Sequence, residues 1–509
     1  MTIEKLNLDT SKKVVRNTWV ASVGSFFASL FGLLCYFCIA LFFGAAKETD
    51  AFFAANVLFV FFATFLSTLR YSVVPLMADI ENKERFFAVF NKIAVSVLSI
   101  VIGFSVSVLL LSSYISSFLG VGFDSQTLAK TSYFIKIIAF SGFFQGIGFL
   151  CASALGAIGN FSIPAYSYAF GNFLWLCLIF TFRNLLGIDS VAIGMLVSSF
   201  FSCLFQLIYL LKIGYKPRFF KNDSEFTFLD IFKTTILGSG IYVTGNLNYA
   251  IGQSLSSYFP EGSATLFAYA ATGAGFLVSV ISNPISLVIL SSLSRMKEDK
   301  TRFSKTLSLG IRYNIIFIIP LILFLSVFRT PILRLFLSSS LNNKDIEILG
   351  NLILGYIILI LVYSLNLILF SAFYAVGKEG TLFLIGLFSI LVNLFSSFFL
   401  KNYFGLTGLA VAQSVYTVFI FIVLLFKLTA HLEKDIFVKY LKGIEWISLF
   451  AVLSTVIVYF ISQKYFDLNL FLPLFSTMLL SIGLYLILIF IFQRHELKFF
   501  LSTFTNREG

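Results

Sequence analysis

Long apolar runs separated by short polar connections set the rhythm of this chain. Runs of about 20 residues recur from Trp19 to Phe492, and each is long enough to cross a bilayer core as a helix. The pattern predicts fourteen spans, near residues 18–43, 51–77, 93–119, 131–156, 161–181, 188–211, 234–258, 263–293, 306–328, 348–375, 380–400, 404–426, 443–462 and 468–492. The expected fold class is therefore an all-α polytopic membrane protein. Every connection is too short for a large soluble domain.

The runs also repeat. At an offset of 218 residues, Ser153-Ala154-x-x-Ala157-x-Gly159 returns as Ser371-Ala372-x-x-Ala375-x-Gly377, and Gly187 and Ala192 return as Gly405 and Ala410. That offset equals six spans, so two six-helix lobes in parallel repeat are expected, followed by two further helices. The expected organisation is a cytoplasmic N-terminal segment at 1–17, an N-lobe at 18–213, a cytoplasmic linker at 214–233, a C-lobe at 234–430, a tail at 431–493 and a cytoplasmic C-terminus at 494–509.

Composition agrees: 59% of residues are hydrophobic and only 12% charged, about half the charged share of a soluble domain. The net charge of +12 would suit nucleic acid if the cations clustered on one soluble face. They follow topology instead. With both termini cytoplasmic, 25 of the 36 Lys and Arg fall on the inside, eight fall outside, and Arg70, Lys136 and Arg312 lie within spans. This is the positive-inside pattern of an even number of spans, and it removes nucleic acid as a partner. The stretch before Trp19 lacks a short apolar region with a cleavage site, so it is expected to be retained rather than removed as a signal peptide. The five cysteines all fall inside spans, and Cys35-x-x-Cys38 lacks the βαβ context of a redox motif.

Catalytic chemistry has little to work with. His431 and His495 lie in connections, no span carries a carboxylate near its middle, and no metal-ligand spacing or phosphate loop occurs. No enzyme activity, metal or cofactor is expected. Binding groups are more evident. Arg70 and Arg312 each lie about two turns from the cytoplasmic end of their spans. Two readings fit: they line a cavity that receives an anionic head group through the guanidinium fork, or they snorkel to the interface. Span 7 is unusually polar, with Asn246, Asn248 and Gln253 among serines and glycines, and Thr272 and Asn283 continue the pattern in span 8. Asn246 and Gln253 are seven apart, on one helix face. Hydrocarbon penalises such groups, so that face lines a cavity or a helix contact.

Several stretches resemble the MviN/MurJ family of lipid-linked glycan flippases, part of the MOP exporter superfamily. They are Phe43-Gly44-Ala45 with Thr49-Asp50-Ala51-Phe52-Phe53, Asn160-Phe161-Ser162-Ile163-Pro164-Ala165, Leu290-Ser291-Ser292-Leu293-Ser294, Gly310-Ile311-Arg312, and Gly405-Leu406-Thr407-Gly408-Leu409-Ala410. The resemblance implies inward- and outward-open states and two extra helices forming a groove for a lipid tail. It also implies arginines in spans 1, 2 and 8 facing a central cavity. Ser29, Cys35, Ala63 and Thr272 stand at those positions, none of them charged. Ser29, Thr272 and the motif residue Asp50 join the candidate substrate-binding set.

The expected function is a flippase that moves a lipid-linked oligosaccharide or peptidoglycan-type precursor across the bacterial inner membrane by alternating access. The alternative is a multidrug or small-molecule extruder with the same lobes. Expected partners are an anionic lipid-linked glycan, membrane lipids and glycan-assembly enzymes.

Overall fold

The computed structural model describes residues 3–78, 80, 82–216, 228–429, 432–465 and 470–492. Most of the expected linker, His431 and the segment holding His495 lie outside the described residues. All regular structure among the described residues is helical: α1 (Ile3–Phe43), α2 (Lys47–Ala78), α3 (Lys83–Leu110), α4 (Ser112–Leu119), α5 (Ser125–Ala157), α6 (Ser162–Leu186), α7 (Asp189–Lys212), α8 (Phe228–Ser256), α9 (Ser263–Arg295), α10 (Lys300–Leu337), α11 (Asn343–Ala375), α12 (Glu379–Leu428), α13 (Lys434–Leu441), α14 (Ile444–Tyr465) and α15 (Phe471–Phe492). Twelve helices among the described residues are long and apolar enough to cross a membrane.

Each expected span coincides with a helix, with two differences. The third span is broken at Leu111 (φ −94°, ψ 8°) into α3 and α4. Its second half is serine-rich, and the Ser116 and Ser117 hydroxyls both donate to the carbonyl of Ser113, a local alternative that weakens a regular ladder. Spans 11 and 12 run together as α12, bent at Gly405 alone (φ 56°, ψ −136°). The residues expected to form a loop there are helical up to the glycine.

Helix starts follow short polar side chains. Asn82 Oδ1 accepts from the amides of Glu84 and Arg85 at the start of α3, Asp124 from Thr127 before α5, Asp299 from Arg302 before α10, and Asn342 from Asp345 before α11. Each satisfies amides that the first turn leaves without intrahelical partners.

The chain forms two compact units. One comprises Met1–Ala268 with Glu379–Ile390; the other comprises Tyr269–Lys378 with Leu391–Gly509. In the first, α2 packs on α5 and α8, α1 on α6, and α7 on both α5 and α6. Small residues permit the close approaches: Gly142 lies beneath the Phe62 ring and Gly146 beneath Val101. In the second, α10 is the mast, packed by α11, α13, α14 and α15.

The 218-residue repeat is written in the backbone as well as the sequence. Gly44 and Gly262 both have positive φ (58° and 84°), as do Gly159 and Gly377 (76° and 70°). The turn ending α5 closes through Gly159 N–H to Gly156 O and Asn160 N–H to Leu155 O (3.0 and 2.8 Å). The turn ending α11 closes through the matching atoms, Gly377 to Tyr374 and Lys378 to Phe373 (3.1 and 2.9 Å).

Candidate functional site

The most heavily bonded candidate is Asp50, one turn into α2. Its carboxylate is buried and accepts from Gly262 N–H at 2.7 Å, Thr265 N–H at 2.7 Å and Thr265 Oγ1 at 2.6 Å. These amides open α9, so a side chain from α2 caps a helix more than 200 residues later and meets the positive end of its dipole. Thr265 Oγ1 also lies 3.0 Å from Thr49 Oγ1, which holds the Ala46 amide at 2.8 Å. Gly262 sits so close to Ala45 that a Cβ there would come within 2.8 Å of its carbonyl oxygen.

Gln253 reaches the same turn. Fully buried, it donates from Nε2 to Ala264 O at 3.0 Å and accepts from Tyr249 OH at 3.3 Å. Asp50 and Gln253 therefore converge on the first turn of α9. Around them, Ser254 Oγ donates to Phe118 O at 2.7 Å, and Gly122 N–H donates to Ser257 Oγ at 2.9 Å. Lys47 Nζ pairs with Asp124 Oδ2 at 2.7 Å, and Lys47 N–H donates to Glu261 Oε1 at 3.3 Å. The Lys47 hydrogen bond, then that from Thr127, holds the Asp124 carboxyl well below the usual carboxylate range. The α8–α9 connection is thus fastened to α2 and to the α4–α5 corner.

The other candidates are dispersed. Asn248 is fully buried and donates to Ser389 Oγ at 2.9 Å, joining α8 to the first turns of α12. Asn246 is half-buried, and its buried Nδ2 makes no hydrogen bond among the described residues. The same holds for the buried Oδ1 of Asn56, whose Nδ2 donates to Tyr36 OH at 3.1 Å. Such open valences in a protein interior call for a water or a polar ligand. Ser29 and Asn283 are exposed and Thr272 half-buried. Cys35 is buried, its thiol donating to Asn172 O at 3.5 Å, so this position is a helix contact between α1 and α6. The Arg70 side chain lies outside the described residues. Arg312 is buried, and its Nη1 donates to Tyr440 O and Lys442 O at 2.8 and 2.9 Å.

Sequence reasoning placed Thr49 only within a family stretch and missed Thr265 and Asp124, which carry no signal without knowledge of what they face. It also missed Asn314 in the middle of α10, which donates to Ser364 O at 2.7 Å and accepts from Ser282 Oγ at 3.0 Å. An amide at mid-span was the available signal there.

Comparison with known proteins extends the picture. The family model described as lipid II flippase MurJ matches residues 39–498. A probable lipid II flippase MurJ of Buchnera aphidicola subsp. Schizaphis graminum (strain Sg) is 26% identical over 416 residues, 78% of this chain and 80% of the relative. A solved lipid II flippase MurJ in an inward closed conformation superposes with a TM-score of 0.78 at 22% identity, covering 94% of this chain and 99% of that one. An inward-facing multidrug resistance MATE family transporter of the MOP superfamily gives 0.66 at 14% identity, over 79% and 95%. These two likenesses concern the fold.

Proposed function

Because the chain belongs to the lipid II flippase MurJ family, we propose that it translocates a lipid-linked glycan precursor, an oligosaccharide or peptidoglycan-type intermediate, across the bacterial inner membrane by alternating access. The observation that carries the reading is the match of this family over 39–498. The Asp50 cap supports it, as a buried carboxylate fastens the start of α9 to α2 within one compact unit. In this reading both termini are cytoplasmic, the lobes at 18–213 and 234–430 alternate, and the Asp50 end faces outward.

In this reading the head group meets Arg70, with the open amide valence of Asn246 as a further partner. Positions 29, 35, 63 and 272 carry no charge, so the pyrophosphate is neutralised by other cations or from the cytoplasmic side. The groove of the two tail helices takes the lipid tail among the membrane lipids, and glycan-assembly enzymes supply the substrate.

The test is reconstitution of the full-length protein in vesicles with fluorescent lipid-linked glycans. The expected result is protein-dependent exposure of inner-leaflet label to an impermeant quencher. Sequestration of every such glycan, in vesicles that export a cationic dye, would replace this reading with the extruder.

A further inference from the structure

One face of α10 carries a polar stripe that fits a single partner. Thr301 Oγ1 donates to the Glu433 carboxylate, and Ser304 Oγ accepts from Glu433 N–H at 2.8 Å. Ser308 Oγ donates to Phe437 O at 3.2 Å, and Arg312 Nη1 donates to Tyr440 O and Lys442 O at 2.8 and 2.9 Å. Positions 301, 304, 308 and 312 recur every three or four residues, so they share a helix face. Their partners advance in step along α13. The stripe ends with the guanidinium at the carbonyl end of α13, where the helix dipole favours a cation. Beyond it, Tyr485 OH donates to Ile316 O at 2.9 Å, and Phe324 and Phe328 pack with Val458 and Leu474.

The repeat shows that this stripe is specialised. At the 218-residue offset, Ser304, Ser308 and Arg312 correspond to Phe86, Phe90 and Ala94 in α3. At these three positions the helix that carries the tail bonds to α13 where its counterpart is apolar.

We infer that Arg312 is a positioning residue, acting through α13 to hold α13, α14 and α15 on α10 as one body throughout the transport cycle, and not a ligand of the head group. The inference rests on the flippase reading for its transport readout only.

The test uses full-length protein without its five cysteines, carrying Thr301→Cys and Glu433→Cys, two exposed positions that a short bifunctional thiol reagent can bridge. Linking is expected to leave lipid transport intact. Adding Arg312→Ala is expected to lower transport about tenfold, the scale of one lost charge-assisted site, and to speed hydrogen exchange of the α13 amides. Linking that variant is expected to restore both, and Arg312→Lys to fall between. Loss of transport on linking the parent would show that α13 must detach and overturn the inference. So would an Arg312→Ala protein whose α13 exchange is unchanged, or one that stays inactive when linked with α13 protected. A parent that moves no lipid at all would refute the flippase reading, while the exchange measurements still decide the docking.

Discussion

Gly187 and Gly405, 218 residues apart, hold the same backbone conformation: φ 54°, ψ −139° at the first and φ 56°, ψ −136° at the second. Both mark a point where one membrane helix ends and the next begins almost without a loop. The region is nearly closed to residues with a Cβ. Around Gly187 there is open space for a methyl group, so a substitution there is opposed by the backbone alone. Gly187→Ala and Gly405→Ala are each expected to lower stability by about 1–3 kcal/mol, read as a fall in thermal unfolding temperature in detergent. A neutral result at both would mean that the two junctions relax freely.

Asp50 leads to a second expectation. Asp50→Ala leaves the amides of Gly262 and Thr265 buried without an acceptor, which costs about 1–3 kcal/mol for each such group. Asp50→Asn keeps one acceptor oxygen and loses the charge, so it should lie between wild type and alanine. The readout is thiol labelling of Glu261→Cys together with thermal unfolding; equal labelling in all three proteins would show that the carboxylate does not hold this corner.

The Lys47–Asp124 pair gives a pH expectation. Asp124 titrates below its unfolded value, so its contribution is full above the ordinary carboxylate range and fades as pH falls through its lowered folded pKa. Asp124→Asn should therefore destabilise the protein equally at pH 5 and pH 8. The loss should shrink in high salt, since both side chains are about half exposed. A loss that grows between pH 5 and pH 8 would point to a different titrating partner.

The helices were legible because apolar length is a local property, and the repeat because matching turns need matching glycines. The role of Asp50 was not legible. Its acceptors serve Gly262 and Thr265, 212 and 215 residues away, and a carboxylate at a span end looks the same whether it caps a helix or faces water. Arg312 was equally opaque. Cavity and interface were the readings open to it, yet its partners are backbone carbonyls 128 and 130 residues on, and carbonyls leave no mark in a sequence.

Arg70 tests the head-group reading. Arg70→Ala is expected to abolish lipid transport with thermal stability near wild type, and Arg70→Lys to restore part of it, because an ammonium lacks the bidentate fork. Vesicle transport at the wild-type rate in Arg70→Ala would reduce the residue to an interfacial anchor.

Substrate choice follows from the uncharged positions. Desolvating a pyrophosphate without compensating cations costs several kcal/mol or more. With Ser29, Cys35, Ala63 and Thr272 in place, this chain is expected not to sustain cells depleted of their own lipid II flippase, and to serve a surface glycan instead. Growth at ordinary expression levels would assign the phosphate to Arg70 or another cation.

The repeat has one broken symmetry of mechanical consequence. The counterpart of Asp50 is Ala268, so the bond that the second half returns to the start of α2 comes from elsewhere, Glu261 Oε1 accepting from Lys47 N–H, and it is exposed and longer at 3.3 Å. A molecule with two matched clasps would have to undo both at once, and its opening barrier would carry both sets of bonds. Here three hydrogen bonds to one buried carboxylate are the larger share, beside the bonds of Lys47, Ser254 and Gly122 at the same corner. The repeat gives a two-fold frame, and the unequal residues at its matching positions leave it latched more firmly from one side than from the other.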